Sequence, residues 1–449
     1  MKFIAVVRRI PWFALIDQHM IEVVRGASVA FTLKVFSVGL SFSFNVLLAR
    51  LAGAEGAGIY YLAFTVTTIA TVIGRLGLGN ALLRFTADNA AKGDWSKLAG
   101  VSRMGIRIAM ATSFLVTLFL VSSASWIAQS IFAKPSLIEP MRLMALSILP
   151  LSLLTLYGEL LKGLKKIRDS MLVQVVGIPF CSLPLLALLG SKLEVIGAVT
   201  AYVASTILIL LFSIFLWRRA TPQLKGLTGH FDLRLLIKTS LPLFWVTFMS
   251  LVMNMTDTIL LGIWTDSKIV GIYGAAFRTA MLTNFILFAF NSIIAPKFAA
   301  LYGQRDLPAL SNLARNAAKL MTFLAAPVLL LFILVPTWVL GLYGPEFTTG
   351  ATVLTILAIG QFINVATGSV GYLLMMTGHE KLMRNNIVFS AFLNIVLNVT
   401  LILKYGIVGA AIANAVSLAT MNLISVFLVY WKLSIFTLPI PKWIFNHAK

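Results

Sequence analysis

The chain has 449 residues, of which 59% are hydrophobic and only 11% are charged, whereas a soluble globular protein carries about 25% charged residues. These charged side chains are too few to cover the water-facing surface of a soluble protein of this length, so much of the apolar surface must face lipid. The net charge of +21 does not indicate nucleic-acid binding, because the Lys and Arg residues stand in short gaps between apolar runs.

Twelve apolar runs are each close to the ~20 residues that a membrane-spanning helix needs. In chain order they are spans 1 to 12, and they cover residues 27–49, 58–83, 106–127, 143–161, 171–190, 194–217, 239–263, 270–296, 318–341, 351–377, 386–403 and 406–431. The sequence therefore predicts an all-α integral membrane protein with twelve transmembrane helices.

The basic residues are divided unequally between the two sides of the membrane. Of the 36 Lys and Arg residues, 27 fall in the N-terminal segment, the even-numbered loops and the C-terminal tail, and six fall in the odd-numbered loops and their margins. Cytoplasmic loops carry the excess of Lys and Arg in membrane proteins. Both termini are therefore predicted to lie in the cytoplasm.

The two halves of the chain resemble each other at an offset of roughly 213 residues, which indicates an internal repeat. The matching marks are Gly58-Ile59-Tyr60 with Gly271-Ile272-Tyr273, Arg84-Phe85 with Lys297-Phe298, and Gly197-Ala198 with Gly409-Ala410. Each half has six spans and enters the membrane from the same side, which predicts two six-helix bundles related as a parallel repeat. The predicted organisation is a cytoplasmic amphipathic segment (1–26), an N-terminal bundle (27–217), a cytoplasmic linker (218–238), a C-terminal bundle (239–431) and a cytoplasmic tail (432–449).

Three cations lie within spans, where ionisable groups are costly and by default indicate function. They are Lys34 in span 1, Arg75 in span 2 and Arg278 in span 8. Lys34 and Arg75 have no acidic residue within spans 1 and 2 to neutralise them. A water-filled cationic cavity between the halves accounts for these two and would suit a phosphate group. For Lys34 the alternative is that its ammonium reaches the cytoplasmic interface.

Two carboxylates are candidates for ion coupling, Asp257 in span 7 and, more weakly, Glu159 at the end of span 4. Asp257 and Arg278 lie at similar depth on adjacent spans, so a structural ion pair is an equally good interpretation. Several amides within spans could line a path for sugars, although hydrogen bonding between helices is their commoner role. These amides are Asn45, Asn254, Asn284, Asn291, Gln361 and Asn364.

Enzymatic chemistry is not indicated. The four histidines are scattered through separate segments without the spacing of metal ligands, and no Gly-rich phosphate loop is present. We expect no metal site, no cofactor and no catalytic residue.

Several segments in order along the chain resemble the polysaccharide (O-antigen type, Wzx-like) repeat-unit flippases of the multidrug/oligosaccharidyl-lipid/polysaccharide exporter superfamily. In the first half they are LLARLAGAEGAGIYYL and GRLGLGNALLRFTA, and in the second half IWTDSKIVGIYGAAFR, APKFAALYGQRD and MMTGHEKLMRNN. The resemblance covers about residues 25 to 431. It implies two bundles facing each other in a V, as in multidrug exporters of that superfamily, that alternate between inward-open and outward-open states.

The resemblance also implies a substrate and a location. The substrate class would be an oligosaccharide on undecaprenyl diphosphate, moved from the cytoplasmic to the outer leaflet of the cell inner membrane. By the resemblance, Lys34, Arg75 and Arg278 would bind the diphosphate. Partners would be this lipid and the bilayer, with polysaccharide-assembly membrane proteins left open.

Three alternatives remain at this point. An ion-coupled multidrug or organic-cation antiporter of the same superfamily would need intramembrane carboxylates, whereas spans 1 and 2 offer cations. Lipid II-type flippases usually have two additional helices, for which this chain has no room. A membrane-bound glycan-processing enzyme would need a large extramembrane loop or clustered histidine and acidic residues.

Overall fold

The computed structural model of the protein describes residues 18–438, and the helices in this range account for twelve membrane crossings. Nine helices in this range are long and apolar enough to cross a membrane, and the bent pair Pro135–Ala145 and Ile148–Gly163 together forms a tenth. Phe31–Arg75 and Glu380–Leu433 have 45 and 54 residues, about 68 and 81 Å at 1.5 Å per residue, against a hydrocarbon core of about 30 Å. One non-helical glycine breaks each of them, so each crosses twice and the predicted total of twelve is confirmed.

The N-terminal half holds spans 1 to 6. Its helices are Gln18–Arg75, divided at Gly53, and Leu78–Ala91 (spans 1 and 2); Trp95–Trp126 and the π-helical turn Ile127–Ile131 (span 3); Pro135–Ala145 and Ile148–Gly163 (span 4); and Ile167–Met171, the π-helical turn Leu172–Val176, and Gly177–Ala220, divided at Glu194 (spans 5 and 6). The pieces of span 4 meet at an angle of 41°. Pro150 lacks the N–H that would bond the carbonyl of Leu146 at this bend, so the helix loses a backbone bond there.

The C-terminal half holds spans 7 to 12. Its helices are Leu233–Trp264 (span 7); Ser267–Ala280, the 3₁₀ turn Met281–Thr283 and Asn284–Gly303 (span 8); Leu307–Leu334 (span 9); Pro336–Gly341, Pro345–Gly350, Ala351–Ala366 and Val370–Met376 (the approach to span 10 and span 10); and Glu380–Leu433, divided at Gly406 (spans 11 and 12). Residues 221–232 connect the helix that ends at Ala220 with the helix that begins at Leu233. This linker packs on the N-terminal half, where the rings of Phe85 and Phe231 lie 5.0 Å apart. Of the predicted terminal segments, residues 1–17 and 439–449 lie outside the described range.

The internal repeat is visible in how spans 3 and 9 begin. Asp94 accepts a hydrogen bond from the backbone N–H of Lys97, and Asp306 accepts one from that of Ala309. Each carboxylate satisfies a helix N–H that has no partner within its own helix. The two capping residues stand at nearly the repeat offset, so the halves start equivalent spans by the same device.

The tightest contact between the halves is the crossing of spans 2 and 8, at positions that the repeat makes equivalent. A Cβ added to Gly58 would lie 1.8 Å from the carbonyl oxygen of Ser267, and a Cβ added to Gly271 would lie 1.9 Å from that of Ala54. Ala54 and Ser267 are themselves related by the repeat offset, as are the two glycines. Small residues four apart allow two membrane helices to touch through their backbones, so a pseudo-twofold axis passes through this crossing.

Further contacts join the halves at the same end of the molecule, the end that the charge distribution predicts to be the outer one. Arg50 Nε donates to the carbonyl of Leu342 at 2.8 Å, and the Ala54 N–H, directly after the break at Gly53, donates to Glu346 Oε1 at 2.7 Å. One cluster of buried apolar side chains includes residues of both halves, a second consists of N-terminal residues with Leu224 and Leu236, and a third lies within the C-terminal half. Two bundles joined at a crossing and separated by a cavity are therefore the architecture, as the sequence predicts.

Candidate functional site

A cavity of about 600 Å³ lies between the two halves. Spans 1, 2, 5 and 6 of the N-terminal half and spans 7 and 8 of the C-terminal half supply its walls. Its lining includes Lys34, Asn45, Asn254, Arg278, Asn284 and Phe288. Substrate sites in parallel-repeat transporters lie at such an interface between halves.

Arg278 projects from span 8 into this cavity and contacts the opposite half. Its guanidinium carbon lies 3.7 Å from the centroid of the Tyr61 ring, and its Nη1 donates to the carbonyl of Gly274 at 3.3 Å. Tyr61 fits there because position 274 has no side chain: a Cβ on Gly274 would lie 2.3 Å from Tyr61 Cδ2. The Tyr61 hydroxyl in turn donates to Asn45 Oδ1 at 3.1 Å. The guanidinium is therefore held by a ring face and a carbonyl, with N–H groups left for a ligand.

Lys34 lies on the opposite wall of the cavity. Its ammonium is 5.3 Å from the centroid of the Phe288 ring, on span 8. One turn before it along span 1, Phe31 stacks on Phe285 of span 8, with centroids 5.2 Å apart. Lys34 therefore lines the cavity. Spans 1 and 8 are in contact one helical turn away, at Phe31 and Phe285.

The electrostatic character of the cavity follows from its lining. Among the described residues, Lys34 and Arg278 are its charged side chains and no Asp or Glu lines it. The four salt bridges of the described chain involve neither cation. Two cations without a carboxylate partner in a partly desolvated space attract an anion more strongly than they would in water.

Arg75 does not line this cavity, contrary to the prediction. It ends the first helix of span 2, immediately before a break in which Leu76 and Gly77 have φ angles of 48° and 71°. Its charge interacts with Glu159 of span 4, and its Nε is buried without a hydrogen-bond partner. The side chain therefore lies in the interior of the N-terminal bundle.

Glu159 is likewise committed within the N-terminal half. Its carboxylate forms a salt bridge with Lys162 at 2.8 Å and accepts a hydrogen bond from Gln174 Nε2 at 3.0 Å. Neither Glu159 nor its partners line the central cavity. The structure therefore pairs this carboxylate with a cation and an amide inside one bundle, and its candidacy for ion coupling stays a prediction.

Asp257 is fully buried in the C-terminal half, and its partners are neutral. The hydroxyl of Tyr273 donates to Oδ2 at 2.5 Å, Asn414 Nδ2 donates to the same oxygen at 2.7 Å, and Asn398 Nδ2 donates to Oδ1 at 3.1 Å. The ion pair with Arg278 that the sequence left open is absent from the described residues, since each group has other partners. The cluster joins spans 7, 8, 11 and 12 around one buried carboxyl group.

The N-terminal half has no counterpart of this cluster. At the repeat offset, Asp257 corresponds to Phe44 and Tyr273 to Tyr60, and the rings of these two aromatic residues lie 5.8 Å apart. Outside the cluster the halves agree: the rings of Tyr60 and Phe64 are stacked at 6.3 Å, and those of Tyr273 and Phe277 at 6.1 Å. The buried carboxyl group is thus a specific substitution in one half of a common scaffold.

Sequence reasoning missed two groups of residues at the site. Tyr61, whose ring contacts the guanidinium of Arg278, directly follows the repeat mark Gly58-Ile59-Tyr60 but was not assigned a role. Tyr273, Asn398 and Asn414 were not connected with Asp257. The signal for the last group is that they are polar residues within apolar helices, for which interhelical hydrogen bonding is the expected role.

The sequence matches two family models. The model described as "Polysaccharide biosynthesis protein" matches residues 23–302, and that described as "MatE" matches residues 242–400. Among named relatives, the chain is 30% identical over 164 residues to the probable low-salt glycan biosynthesis flippase Agl15 of Haloferax volcanii. This match covers 36% of the chain and 35% of Agl15, so the chain matches only about a third of that relative's length.

Two solved structures share the fold over nearly the whole chain. An inward-facing multidrug resistance MATE family transporter superposes with a TM-score of 0.74 at 15% identity, covering 91% of this chain and 98% of that one. The lipid II flippase MurJ in an inward closed conformation gives 0.72 at 15% identity, covering 89% and 87%. At this identity the likeness establishes the fold alone.

The fold and the cavity between its halves define a multi-pass membrane protein of the two-bundle type. The chain belongs to the polysaccharide biosynthesis protein family, within the multidrug/oligosaccharidyl-lipid/polysaccharide exporter superfamily, as the resemblance implies.

Proposed function

We propose that the protein flips an oligosaccharide repeat unit linked to undecaprenyl diphosphate from the cytoplasmic to the outer leaflet of the cell inner membrane, as in O-antigen type (Wzx-like) assembly. The observation that carries this proposal is the charge of the central cavity, where Lys34 and Arg278 are the charged lining residues and no carboxylate opposes them. A lipid diphosphate is an anion that must be taken out of water to cross, and paired cations compensate for that desolvation.

Within this proposal the two cations have different tasks. Arg278 presents a planar fork of N–H donors, which matches two phosphate oxygens at once, while Lys34 supplies a mobile point charge from the other wall. Arg75 is left out of the binding site because it faces Glu159 inside the N-terminal bundle. The glycan would occupy the amide-bearing part of the cavity, where Asn254 and Asn284 are found.

Transport would proceed by alternating access of the two bundles. The crossing at Gly58 and Gly271 and the contacts of Arg50 and Glu346 close the cavity at one end in this conformation. The distribution of Lys and Arg supports placing that end outside and both termini in the cytoplasm. Opening the other way would require these contacts to separate as a unit.

Asp257 is the proposed ion-coupling group. A buried carboxyl surrounded by neutral donors can exchange a proton or a cation without losing its hydrogen-bond network, because Tyr273, Asn398 and Asn414 contribute no charge of their own. Its cluster spans four helices of one bundle, so a change in charge there alters how those helices pack. Coupling would therefore act through the C-terminal half.

Export of organic cations is the main alternative, and the cavity argues against it. A cationic substrate would meet two like charges there and no lining carboxylate among the described residues. Like charges at close range in a desolvated space repel by several kcal/mol, roughly.

The test is leaflet-resolved transport of a polyprenyl-diphosphate oligosaccharide in proteoliposomes. Arg278→Ala is expected to lower the apparent affinity for the lipid by about 10- to 150-fold, since a charge-assisted hydrogen bond contributes about 1.5–3 kcal/mol. Arg278→Lys should recover part of this loss because it restores the charge without the fork. The matched control is Arg142→Ala, which removes an exposed arginine away from the cavity.

The outcomes separate the proposals. Unchanged transport in both Arg278→Ala and Lys34→Ala, with normal folding, would overturn diphosphate binding in the cavity. Asp257→Asn should leave lipid binding intact and remove the dependence of transport on an imposed proton or sodium gradient. Loss of lipid binding in that variant, with the gradient dependence retained, would contradict its role in coupling.

A further inference from the structure

A second, smaller cavity lies inside the C-terminal half beside the central one. It has a volume of about 190 Å³, the room of about six water molecules at ~30 Å³ each. Asn254, Met281 and Asn284 line both cavities. We call it the amide chamber: a recess between spans 7, 8, 10, 11 and 12 that adjoins the central cavity.

The chamber is polar without being charged. No Lys, Arg, Asp, Glu or His is among the described residues that line it, and methionine and leucine complete its walls. Six carboxamides converge on it: Asn254, Asn284, Gln361, Asn364, Asn394 and Asn414. Because each carboxamide offers both a donor and an acceptor, the lining suits a neutral ligand that also does both.

Two of these amides are buried with one atom unpartnered. Gln361 is 3% exposed and Asn394 is fully buried. Gln361 Oε1 and Asn394 Nδ2 have no hydrogen-bond partner, while Gln361 Nε2 lies 3.4 Å from Met281 Sδ and Asn394 Oδ1 accepts from Asn398. A buried polar atom without a partner costs about 1–3 kcal/mol, and nearly all such atoms in native proteins are satisfied. One missing acceptor contact and one missing donor contact in the same recess indicate a bound group that both donates and accepts, which is the chemistry of a hydroxyl.

The position of the chamber relates it to the proposed anion site. Along span 8, Met281 and Asn284 follow Arg278 by three and six residues, or about 5 and 9 Å at 1.5 Å per residue. Asn364 Nδ2 donates to Asn284 Oδ1 at 2.9 Å, which fixes the amide at the mouth. A group attached directly to a phosphate held by Arg278 would reach this mouth.

We propose that the amide chamber is a sugar subsite that receives the sugar residue attached directly to the diphosphate. This inference rests on the proposed transport of a lipid-linked glycan. The chamber has room for one sugar ring, its amides match ring hydroxyls or an acetamido group, and its lack of charge excludes a second phosphate. It would make the protein select lipids by whether they carry a sugar, in addition to the diphosphate that Arg278 recognises.

The test compares the binding of two defined lipids to the purified full-length protein, undecaprenyl diphosphate with and without one N-acetylhexosamine. The principal variant is Gln361→Met, which keeps the length of the side chain and removes the amide. We expect the wild type to bind the sugar-bearing lipid at least about fivefold more tightly than the bare lipid, and Gln361→Met to lose that preference. Affinity for the bare lipid should stay unchanged in this variant.

Two further variants make the result decisive. Asn364→Leu, at the mouth of the chamber, should also remove the preference, so the proposal does not depend on a single buried substitution. Asn422→Leu removes a buried amide from span 12 that bonds only the carbonyl of Leu418 and does not line the chamber, so it should retain the preference.

Each outcome bears on one proposal. Equal loss for both lipids in Arg278→Ala, with the sugar preference preserved, supports separate anion and sugar subsites. Equal affinities of the two lipids for the wild type, or the same loss for both lipids in Gln361→Met, would overturn the sugar subsite and leave diphosphate binding standing. If Gln361→Met keeps the sugar preference and instead changes the response of transport to sodium or protons, the chamber is a hydrated approach to Asp257 and the sugar proposal is wrong.

Discussion

Replacing either glycine at the crossing of spans 2 and 8 with alanine should force the two halves apart at that point. A Cβ at position 58 would lie 1.8 Å from the Ser267 carbonyl oxygen, and Cβ contacts shorter than 3.0 Å are essentially never found in proteins. The helices must therefore separate by at least 1.2 Å, the difference between these distances, or by 1.1 Å for Gly271→Ala, starting from 1.9 Å. Such overpacking costs about 1–3 kcal/mol, which corresponds to roughly 5- to 150-fold in the population of this closed arrangement.

The assay combines thermal unfolding in detergent with disulfide cross-linking across the same face. Cysteines replacing Arg50 and Leu342, whose groups are hydrogen-bonded here, report whether the halves remain in contact, in a background where Cys181 is serine. The control is Gly303→Ala in span 8, where an added Cβ meets nothing within 4 Å. Gly303 is the last residue of its helix, so the alanine there gains at most about 1 kcal/mol of helix propensity, without the clash.

A double variant sharpens the test. One separation of the helices relieves both clashes, so Gly58→Ala with Gly271→Ala should cost clearly less than the two single effects added together, as expected for sites in contact. Unfolding temperatures equal to that of the Gly303→Ala control, with cross-linking at the wild-type rate, would refute the reasoning.

Two smaller effects are expected at other points of the chain. Glu346→Gln should keep the hydrogen bond from the Ala54 N–H but remove the negative charge at that helix start and beside the half-exposed Lys268. We expect the free energy of unfolding to fall by about 0.5–1 kcal/mol at low NaCl and by less at high NaCl. An equal fall at both salt concentrations would contradict this reasoning. In the loop before span 3, hydrogen bonds from the Lys97 backbone N–H and ammonium lower the pKa of Asp94 below its usual value of 3.8. The cap is therefore intact above about pH 4 and is lost as the pH falls through the lowered pKa of the folded state. The protection of residues 92–98 against hydrogen exchange, taken relative to the intrinsic exchange rate at each pH, should therefore fall in acid by more than it does in Asp94→Asn, and identical acid profiles would argue against the capping role.

The twelve spans and their division into two bundles could be predicted because both depend on local sequence. A span needs only about twenty apolar residues, and the repeat fixes which spans correspond. The structure confirms both. For Lys34, the cost of leaving a cation in lipid indicated a cavity, and the family resemblance assigned Arg278 to the same site. Both residues line the central cavity, and their role in binding stays a prediction.

The orientation of a side chain around its helix axis was beyond the same reasoning. Arg75 has the right depth, but it lies on the side of the helix Gln18–Arg75 that brings its charge near Glu159 of span 4. The break that follows it, at Leu76 and Gly77, where both φ angles are positive, changes the direction of the chain only beyond this residue. Depth alone therefore does not tell whether a cation lines a cavity or the interior of one bundle.

The partners of Asp257 were unpredictable for another reason. Asn398 and Asn414 lie 141 and 157 residues away along the chain, and no local pattern connects them with span 7. The repeat offset held usable information. It makes Phe44 the counterpart of Asp257 in the N-terminal half, which shows that only the C-terminal half has a carboxyl group at this position. Comparing the halves position by position finds such asymmetries, whereas reading each span alone does not.

The crossing of spans 2 and 8 also constrains how this chain can change over time. Each glycine is opposed by the backbone of the other half at the position that the repeat makes equivalent to Ala54 or Ser267, which is the geometry of an isologous interface between two identical subunits. In a dimer of single six-helix units, one glycine would satisfy both sides at once. In a single chain, positions 58 and 271 can mutate independently. A side chain added at either position would still clash, and rearranging side chains could not relieve the clash, because the obstacle is the main chain of the other half. The two halves are therefore free to diverge in their cavities and buried carboxyl groups, but not at the point where they touch.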